Sequence, residues 1–416
     1  MEFNKSLIYK IIDNKIDNIE LHHLTKQELN TLYNALNLNR SLKELHLSCN
    51  QLDDITLLCK SLKNNSCLER LDLSNNQIED ITPLKFLSNS CLKILDLYSN
   101  KIKDITPLKF LSNSCLEYLD LSYNKIKDIS SLKFLSNSYL KELHLYHNQI
   151  KDITSLKFLS KSYLKTLDLS DNKIEDITLL KYLLNSCLKI LNLSNNKIED
   201  LTPLKCLENN SYLKRLYLSS NFIENITSLK CLENNSCLKY LDLEDNQIED
   251  ISLLKCLENN SCLKDLNLYG NQIKDITPLK CLENNHCLKK LSLSENQIED
   301  IAPLKYLSNS CLKELDLINN QIKDITSLKF LENNHCLKNL SLSSNQIEDI
   351  TPLKFLSNSC LEYLNLYYNK IKDITPLNFL SNSCLKSLNL SINLISNQDK
   401  QKIKELAELK QIKLKI

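Results

Sequence analysis

Apolar and polar positions alternate in a phrase that returns throughout the chain. In Leu92-Lys93-Ile94-Leu95-Asp96-Leu97, the spacing L-x-x-L-x-L carries the period of two that marks a short strand. Leu95 and Leu97 are predicted to point inward, and Ile94, Asp96 and Tyr98 outward. An Asn closes each phrase, at positions 50, 76, 100, 124, 148, 172, 196, 221, 246, 271, 296, 320, 345, 369 and 393. These fifteen occurrences step by 24 or 25 residues, and once by 26. Strands from successive units stack in parallel, about 4.8 Å apart. The Asn follows the strand, where its amide can donate and accept at once. It is expected to satisfy turn backbone buried between rungs.

After each Asn an Ile pair (Ile102 and Ile105, for example) turns the chain back into the core. A short helix such as Leu84-Lys85-Phe86-Leu87 follows, with Leu84 and Leu87 on its inner face. Thr82 and its equivalents are expected to cap that helix, with Pro at its first position. All seven prolines, at 83, 107, 203, 278, 303, 352 and 376, occupy this one place. The ends need covers, because a terminal repeat exposes its apolar face. Residues 4–12 predict an amphipathic cap, Thr25 to Glu28 a capping box, and residues 397–408 a helix with Ile403 and Leu406 inward. The expected organisation is an N-terminal cap and degenerate repeat over 1–41, a repeat array over 42–393, and a capping helix with a last strand over 394–416.

A fixed period in the twenties with L-x-x-L-x-L-x-x-N resembles the leucine-rich repeat. The blocks N-x-I-x-D-I-T-P-L, as in Asn76 to Leu84 and Asn271 to Leu279, resemble the internalin and phosphatase-regulator (SDS22-like) types, over roughly residues 16–416. The resemblance implies an α/β solenoid: a right-handed superhelix with a curved parallel sheet on the concave face and short helices on the convex face. It also implies work done by binding proteins.

Composition narrows the chemistry. With 52 Lys+Arg against 51 Asp+Glu in 416 residues, the net charge of +1 gives no pull toward nucleic acid or an anionic membrane. A single Gly excludes phosphate-cradling loops and dinucleotide turns. Abundant Asn, Lys and Ile suggest an AT-rich coding source. No apolar run approaches the 18 or so residues of a membrane span, and the opening MEFNKSLIYK lacks a signal-peptide core. The triplets at Asn64, Asn225 and Asn234 become glycosylation acceptors only in a secreted chain.

The 17 cysteines fall mainly into two columns: one just before the strands (Cys67, Cys91, Cys115 and their equivalents) and one in the helices (Cys206, Cys231, Cys256, Cys281). Aromatic residues replace them elsewhere, so both columns are expected to be buried apolar space holding free thiols. That points to a reducing, cytoplasmic location. Of seven histidines, only His144 and His147 come together on the expected concave side. No nucleophile elbow, P-loop or zinc helix motif occurs, so no catalysis, metal or cofactor is expected.

Function is therefore sought on the outward strand positions, where ten of the 17 tyrosines lie. Tyr98, Tyr118, Tyr123 and Tyr146 fall on three successive rungs with His144; Tyr363, Tyr367 and Tyr368 fall on one rung near the C-terminus. Tyrosine offers contact area, a polar tip and little entropy to lose. Asp72, Asp96 and Asp120 stack on adjacent rungs, a like-charge column that hints at a cationic partner unless Arg70 and Lys93 relieve it. These eleven residues form the expected partner-binding surface of a monomeric, non-enzymatic protein-interaction scaffold, one with no nucleic-acid or membrane partner. Two other readings remain: an extracellular or host-directed adhesin of internalin type, and a recently expanded repeat protein without a specialised function, since Asp80-to-Cys91 and Asp104-to-Cys115 are nearly identical.

Overall fold

In a computed structural model, residues 3–416 are described except 137, 184–186, 358 and 383. The chain forms two compact units, Met1–Ile198 and Glu199–Ile416. In the first, strands β1 (Asn18–Glu20), β2 (Glu44–His46), β3 (Arg70–Asp72), β4 (Ile94–Asp96), β5 (Tyr118–Asp120), β6 (Glu142–His144), β7 (Thr166–Asp168) and β8 (Ile190–Asn192) pair in parallel in chain order. The register never slips: Leu45, Leu71, Leu95, Leu119 and Leu143 stand side by side. In the second unit, strands from Arg215–Tyr217 to Lys413–Lys415 repeat the arrangement. Each is the parallel, open sheet of a leucine-rich-repeat solenoid, with helical segments on the side away from the strands' solvent face.

One rung shows how the sequence makes this unit. Leu116, Leu119, Leu121, Ile126, Ile129, Leu132 and Leu135 are at most 1% exposed. Burying each such side chain is worth about 1.5–3 kcal/mol, and a rung alone has nothing to bury them against except its neighbours. The Asn ladder works as the spacing predicts. Asn124 Nδ2 donates to the carbonyls of Leu97, Leu121 and Ser122 at 3.0 Å each, and its Oδ1 accepts from the Ile102 N–H at 2.9 Å. One side chain thus ties together turn backbone from neighbouring rungs that water cannot reach.

The helical segment differs from expectation. Most are short 3-10 helices, such as Thr82–Leu87, and the residue before the helix, Ile81, offers no side-chain cap. The capping group is the Asp two residues earlier than Thr: Asp80 Oδ1 accepts from the Thr82 N–H at 2.7 Å, and Asp104 does the same for Thr106. Because the donor is a backbone amide, Ala302 serves equally well on Asp300. Where a hydroxyl is also present it strengthens the turn; hydrogen bonds from the Thr106 hydroxyl and amide hold Asp104 below the usual carboxylate range. Pro83 therefore occupies the second helical position, where a missing N–H still costs no helix bond.

A second Asn ladder runs under the turns of the 25-residue repeats. Asn235, Asn260 and Asn285 are 2% exposed, and each Nδ2 donates to the carbonyl of its counterpart one rung earlier, at 2.9–3.0 Å. In 24-residue repeats a Ser takes over locally, as Ser114 Oγ donates to the Leu111 carbonyl. The extra residue is thus the one that lets an amide reach the next rung.

Helices lie at both ends of the array. Helix α1 (Lys5–Ile12) buries Leu7 and Ile11, and α2 (Lys26–Leu36) begins with the Thr25–Glu28 capping box. A short α3 (Thr56–Ser61) precedes the 3-10 turns, and α4 (Asn397–Leu409) follows them. In α4, Ile403 and Ala407 are buried; Leu406 is half-buried rather than fully inward.

The cysteine columns separate. The helix column is buried, with Cys231 at 5% exposure, and burial pushes its thiol up to about 12. The column before the strands is not buried space: Cys67, Cys91 and Cys115 are exposed and Cys237 and Cys262 half-buried, while the replacing Tyr139, Tyr163 and Tyr212 are exposed too. The side chain there precedes the inward Leu and is left exposed or half-buried. All 17 thiols are free.

Candidate functional site

The sheet's solvent face in the first unit carries three outward columns, fixed by the register. One runs Arg70, Ile94, Tyr118, Glu142; the next runs His46, Asp72, Asp96, Asp120, His144, Asp168. A third, just past the strands, places Tyr98, Ser122 and Tyr146 side by side through the bonds Ser99 N–H to Ser122 O and Tyr123 N–H to Tyr146 O.

The expected aromatic cluster forms, with altered membership. Tyr98, Tyr123 and Tyr146 meet ring to ring: centroids lie 5.3 Å apart for Tyr98–Tyr123 and Tyr123–Tyr146, and 6.1 Å for Tyr98–Tyr146. His147 joins by stacking on Tyr123 at 4.1 Å. Tyr123 is not on the strand. It occupies the turn before the ladder Asn, in the left-handed region at φ 52°. That position is left-handed in rung after rung, and the chain's only glycine, Gly270, sits there as well. His144 and His147 separate accordingly: His144 faces Tyr118 at 5.3 Å, with Glu142 at 3.6 Å, while His147 lies in the turn. Tyr118 belongs to this second pairing and donates its hydroxyl to Asp120 Oδ2 at 3.2 Å.

The carboxylate column also forms. Asp96 Oδ1 accepts from the Tyr98 N–H at 2.9 Å, and Asp120 Oδ1 from the Ser122 N–H at 2.8 Å. Asp120 is only 7% exposed. Burial, with help from Asp72 and Asp120, pushes the Asp96 carboxyl up to about 6. His46 lies across one end, with Nδ1 3.3 Å from Asp72 Oδ2. Lys93 does not relieve the column, because its ammonium pairs with Glu69 at 2.9 Å. Arg70 stands on the neighbouring column and forms no ion pair with Asp96, although its charge eases the shift. Ser122 carries no signal in the sequence. It is wholly buried, and its hydroxyl has no hydrogen-bond partner among the described residues.

The C-terminal tyrosines make a looser group. Tyr367 and Tyr368 lie 6.1 Å apart, with Tyr368 in a left-handed turn at φ 54°. Tyr363 is on the strand beside Asn339 and Ser387, half-exposed and away from that pair. The second unit also has a hollow of about 310 Å³ on its sheet face, lined by Glu244, Asp265, Tyr269, Lys290, Glu314 and Asp316. Its carboxylates have a resident cation: Lys290 lies 2.7 Å from Glu314 and also eases Asp265.

Among the described residues no helix is long and apolar enough to cross a membrane, and no group of three or more His, Cys, Asp or Glu is arranged to hold a metal ion.

Comparison with known proteins places these features. A leucine-rich-repeat family model matches residues 66–126 and 335–395. A second model, for leucine-rich repeats in two copies, matches 40–86, 114–158, 140–182, 163–206, 236–281 and 288–330. No curated protein matches the sequence. Among solved structures, an internalin (InlF) of Listeria monocytogenes is 33% identical, with 79% of this chain and 88% of that one covered and a TM-score of 0.66. A leucine-rich-repeat protein of Leptospira interrogans is 26% identical, covering 100% of this chain and 99% of that one, with a TM-score of 0.78. The plant peptide hormone receptor RGFR1, solved with RGF2, shares the fold at 19% identity and a TM-score of 0.65, over 91% of this chain and 64% of that one. The fold these proteins share is generally a protein-interaction scaffold, typically without catalysis. With its repeats matched across more than half of its length and the ladder, sheet and turns of the repeat in place, the chain belongs to the leucine-rich-repeat family.

Proposed function

We propose that this protein is a non-enzymatic, monomeric interaction scaffold that recognises a protein partner through the solvent face of its first unit. The observation that carries this reading is the contiguous group of Tyr98, Tyr123, Tyr146 and His147 rings beside the Asp72–Asp96–Asp120 column. Tyr123 is 41% exposed although it packs against three other rings. Rigid, already packed aromatic surface loses little entropy when a partner covers it. The odd number of cysteines, repeated as columns along the array, goes with free thiols and a reducing, cytoplasmic location.

The test is affinity capture from extract of the native cell. Wild type is compared with Tyr98→Ala/Tyr118→Ala/Tyr146→Ala after circular dichroism has verified that both are folded. A partner that is held by the wild type, lost by the triple variant and then bound as a purified protein supports the reading. A purified partner held equally by both moves the surface to Tyr363, Tyr367 and Tyr368 or to the turns.

The likeness to an internalin, at 33% identity over 79% of this chain, favours a second reading: the same scaffold acting as an extracellular or host-directed adhesin. Recovery of the protein outside its cell, with thiols such as Cys91 and Cys115 oxidised, would select that reading.

A further inference from the structure

Ser122 sits on the solvent side of the sheet, since Leu121 beside it points into the core, yet Ser122 is 0% exposed. Its cover comes from the two neighbouring rungs. Tyr98 and Tyr146 belong to strands two steps apart, nearly 10 Å at ordinary sheet spacing, but their ring centroids are 6.1 Å apart. The rings lean toward each other over Ser122 and shield it from solvent. Beneath them the Ser122 hydroxyl has no partner among the described residues. The Asp120 carboxylate, 7% exposed, accepts the Ser122 amide beside it. On the adjacent rung Asp96 commits Oδ1 to the Tyr98 amide and leaves Oδ2 without a hydrogen bond among the described residues. Neither Asp96 nor Asp120 has an ion-pair partner within 4.0 Å among the described residues, whereas the acidic hollow of the second unit encloses Lys290. A buried hydroxyl without a partner is costly, and so are carboxylates on adjacent strands, about 4.8 Å apart, that make no ion pair.

We propose that the surface formed by Tyr98 and Tyr146 over Ser122 takes an arginine side chain presented by the partner protein, on Asp96, Asp120 and Ser122. This rests on the scaffold reading and names the chemistry of its partner at that surface. A guanidinium is planar and offers five donors, enough for the free Asp96 oxygen, the Asp120 carboxylate and the Ser122 hydroxyl together. Its faces stack on tyrosine rings, which a lysine ammonium does less well. The Tyr98 and Tyr146 rings supply its stacking surfaces.

The probe is a short fluorescent peptide of alternating arginine and serine, titrated into the full chain at low salt, beside its lysine and glutamate counterparts. The arginine peptide is expected to bind saturably and the lysine peptide several-fold more weakly, with the glutamate peptide not binding. Asp96→Asn/Asp120→Asn is expected to weaken arginine-peptide binding roughly 10- to 100-fold. Asp265→Asn/Asp316→Asn, the same charge change in the other unit, leaves it within about twofold. Ser122→Ala separates a binding role from a structural one. It raises the melting temperature of the free protein, by removing a hydroxyl without a partner, and lowers affinity several-fold.

Equal losses in the two Asp pairs, equal binding of the arginine and lysine peptides, no saturable binding, or a less stable Ser122→Ala each overturn the proposal. If the peptide result is negative while a captured protein partner still depends on Tyr98 and Tyr146, only the arginine inference falls. If capture is also indifferent to those tyrosines, the scaffold reading of this surface falls with it.

Discussion

Replacing Asp96 by Asn is expected to stabilise the protein, against the usual direction for a substitution on a strand. The carboxyl is pushed from 3.8 to about 6, first by burial and then by Asp72 and Asp120, with the Tyr98 amide and Arg70 pulling the other way. A carboxyl raised that far is destabilised in its charged form by about 3 kcal/mol. Discounted for the solvent that still reaches the side chain, the ionised group costs the fold about 1–2 kcal/mol at neutral pH. The folded-state pKa lies above the unfolded one, so the cost is absent below about pH 4, grows through the window to about 6, and is complete above it. Asn keeps the oxygen that accepts the Tyr98 amide and removes the charge. The assay is thermal unfolding of both proteins across this range. A gain of a few degrees is expected near pH 7.5, falling to roughly half near pH 5. A gain that does not change with pH would refute the electrostatic account, because it would have to come from packing; a loss of stability would show that the column has a counter-ion.

The other expectations concern the frame. Asn124→Ala removes four hydrogen bonds from a residue 7% exposed and should cost about 2–4 kcal/mol in urea unfolding; a cost under about 1 kcal/mol would mean that water replaces the amide. Asp80→Ala should cost about 1 kcal/mol and Thr82→Ala less than half of that, because the Thr82 backbone amide is the group being capped; the reverse order in matched denaturation curves would restore Thr as the cap. Ile392 sits at φ 57°, where a β-branched side chain is strained. Ile392→Gly should therefore raise the melting temperature, by about 0.5–1 kcal/mol of stability, and a fall would show that the 60%-exposed Ile makes contacts worth more than the strain.

Much of the fold is legible residue by residue. The inward pair Leu119 and Leu121, the Ile126–Ile129 return, the ladder Asn124 and the Thr25–Glu28 box each have a local signature, and each is found where that signature puts it. The positions that depart from their signatures share a cause. Thr82 has the side chain of a cap, yet the backbone path brings Asp80 Oδ1 to the Thr82 amide instead. Cys91 and Cys231 are both replaced by aromatics elsewhere, yet one is exposed and the other buried. The left-handed turn is hidden in the sequence because glycine marks it once, at Gly270, while Tyr123, His147 and Tyr368 occupy it elsewhere.

The sequence by itself determined the repeat, the parallel register and which side chains of the strands face solvent. Those follow from periods of 2 and of 24–25 residues, which any stacking of identical units must obey. Tertiary structure decided what the solvent-facing side chains do to one another. That Tyr98 and Tyr146 close over Ser122, that His147 rather than Tyr118 completes the ring cluster, and that Lys93 turns to Glu69 and leaves Asp96 unpaired are contacts between rungs 24 or 48 residues apart. Each depends on rotamers chosen among neighbours on an exposed face, where no core packing fixes the choice in advance and the periodic pattern is silent.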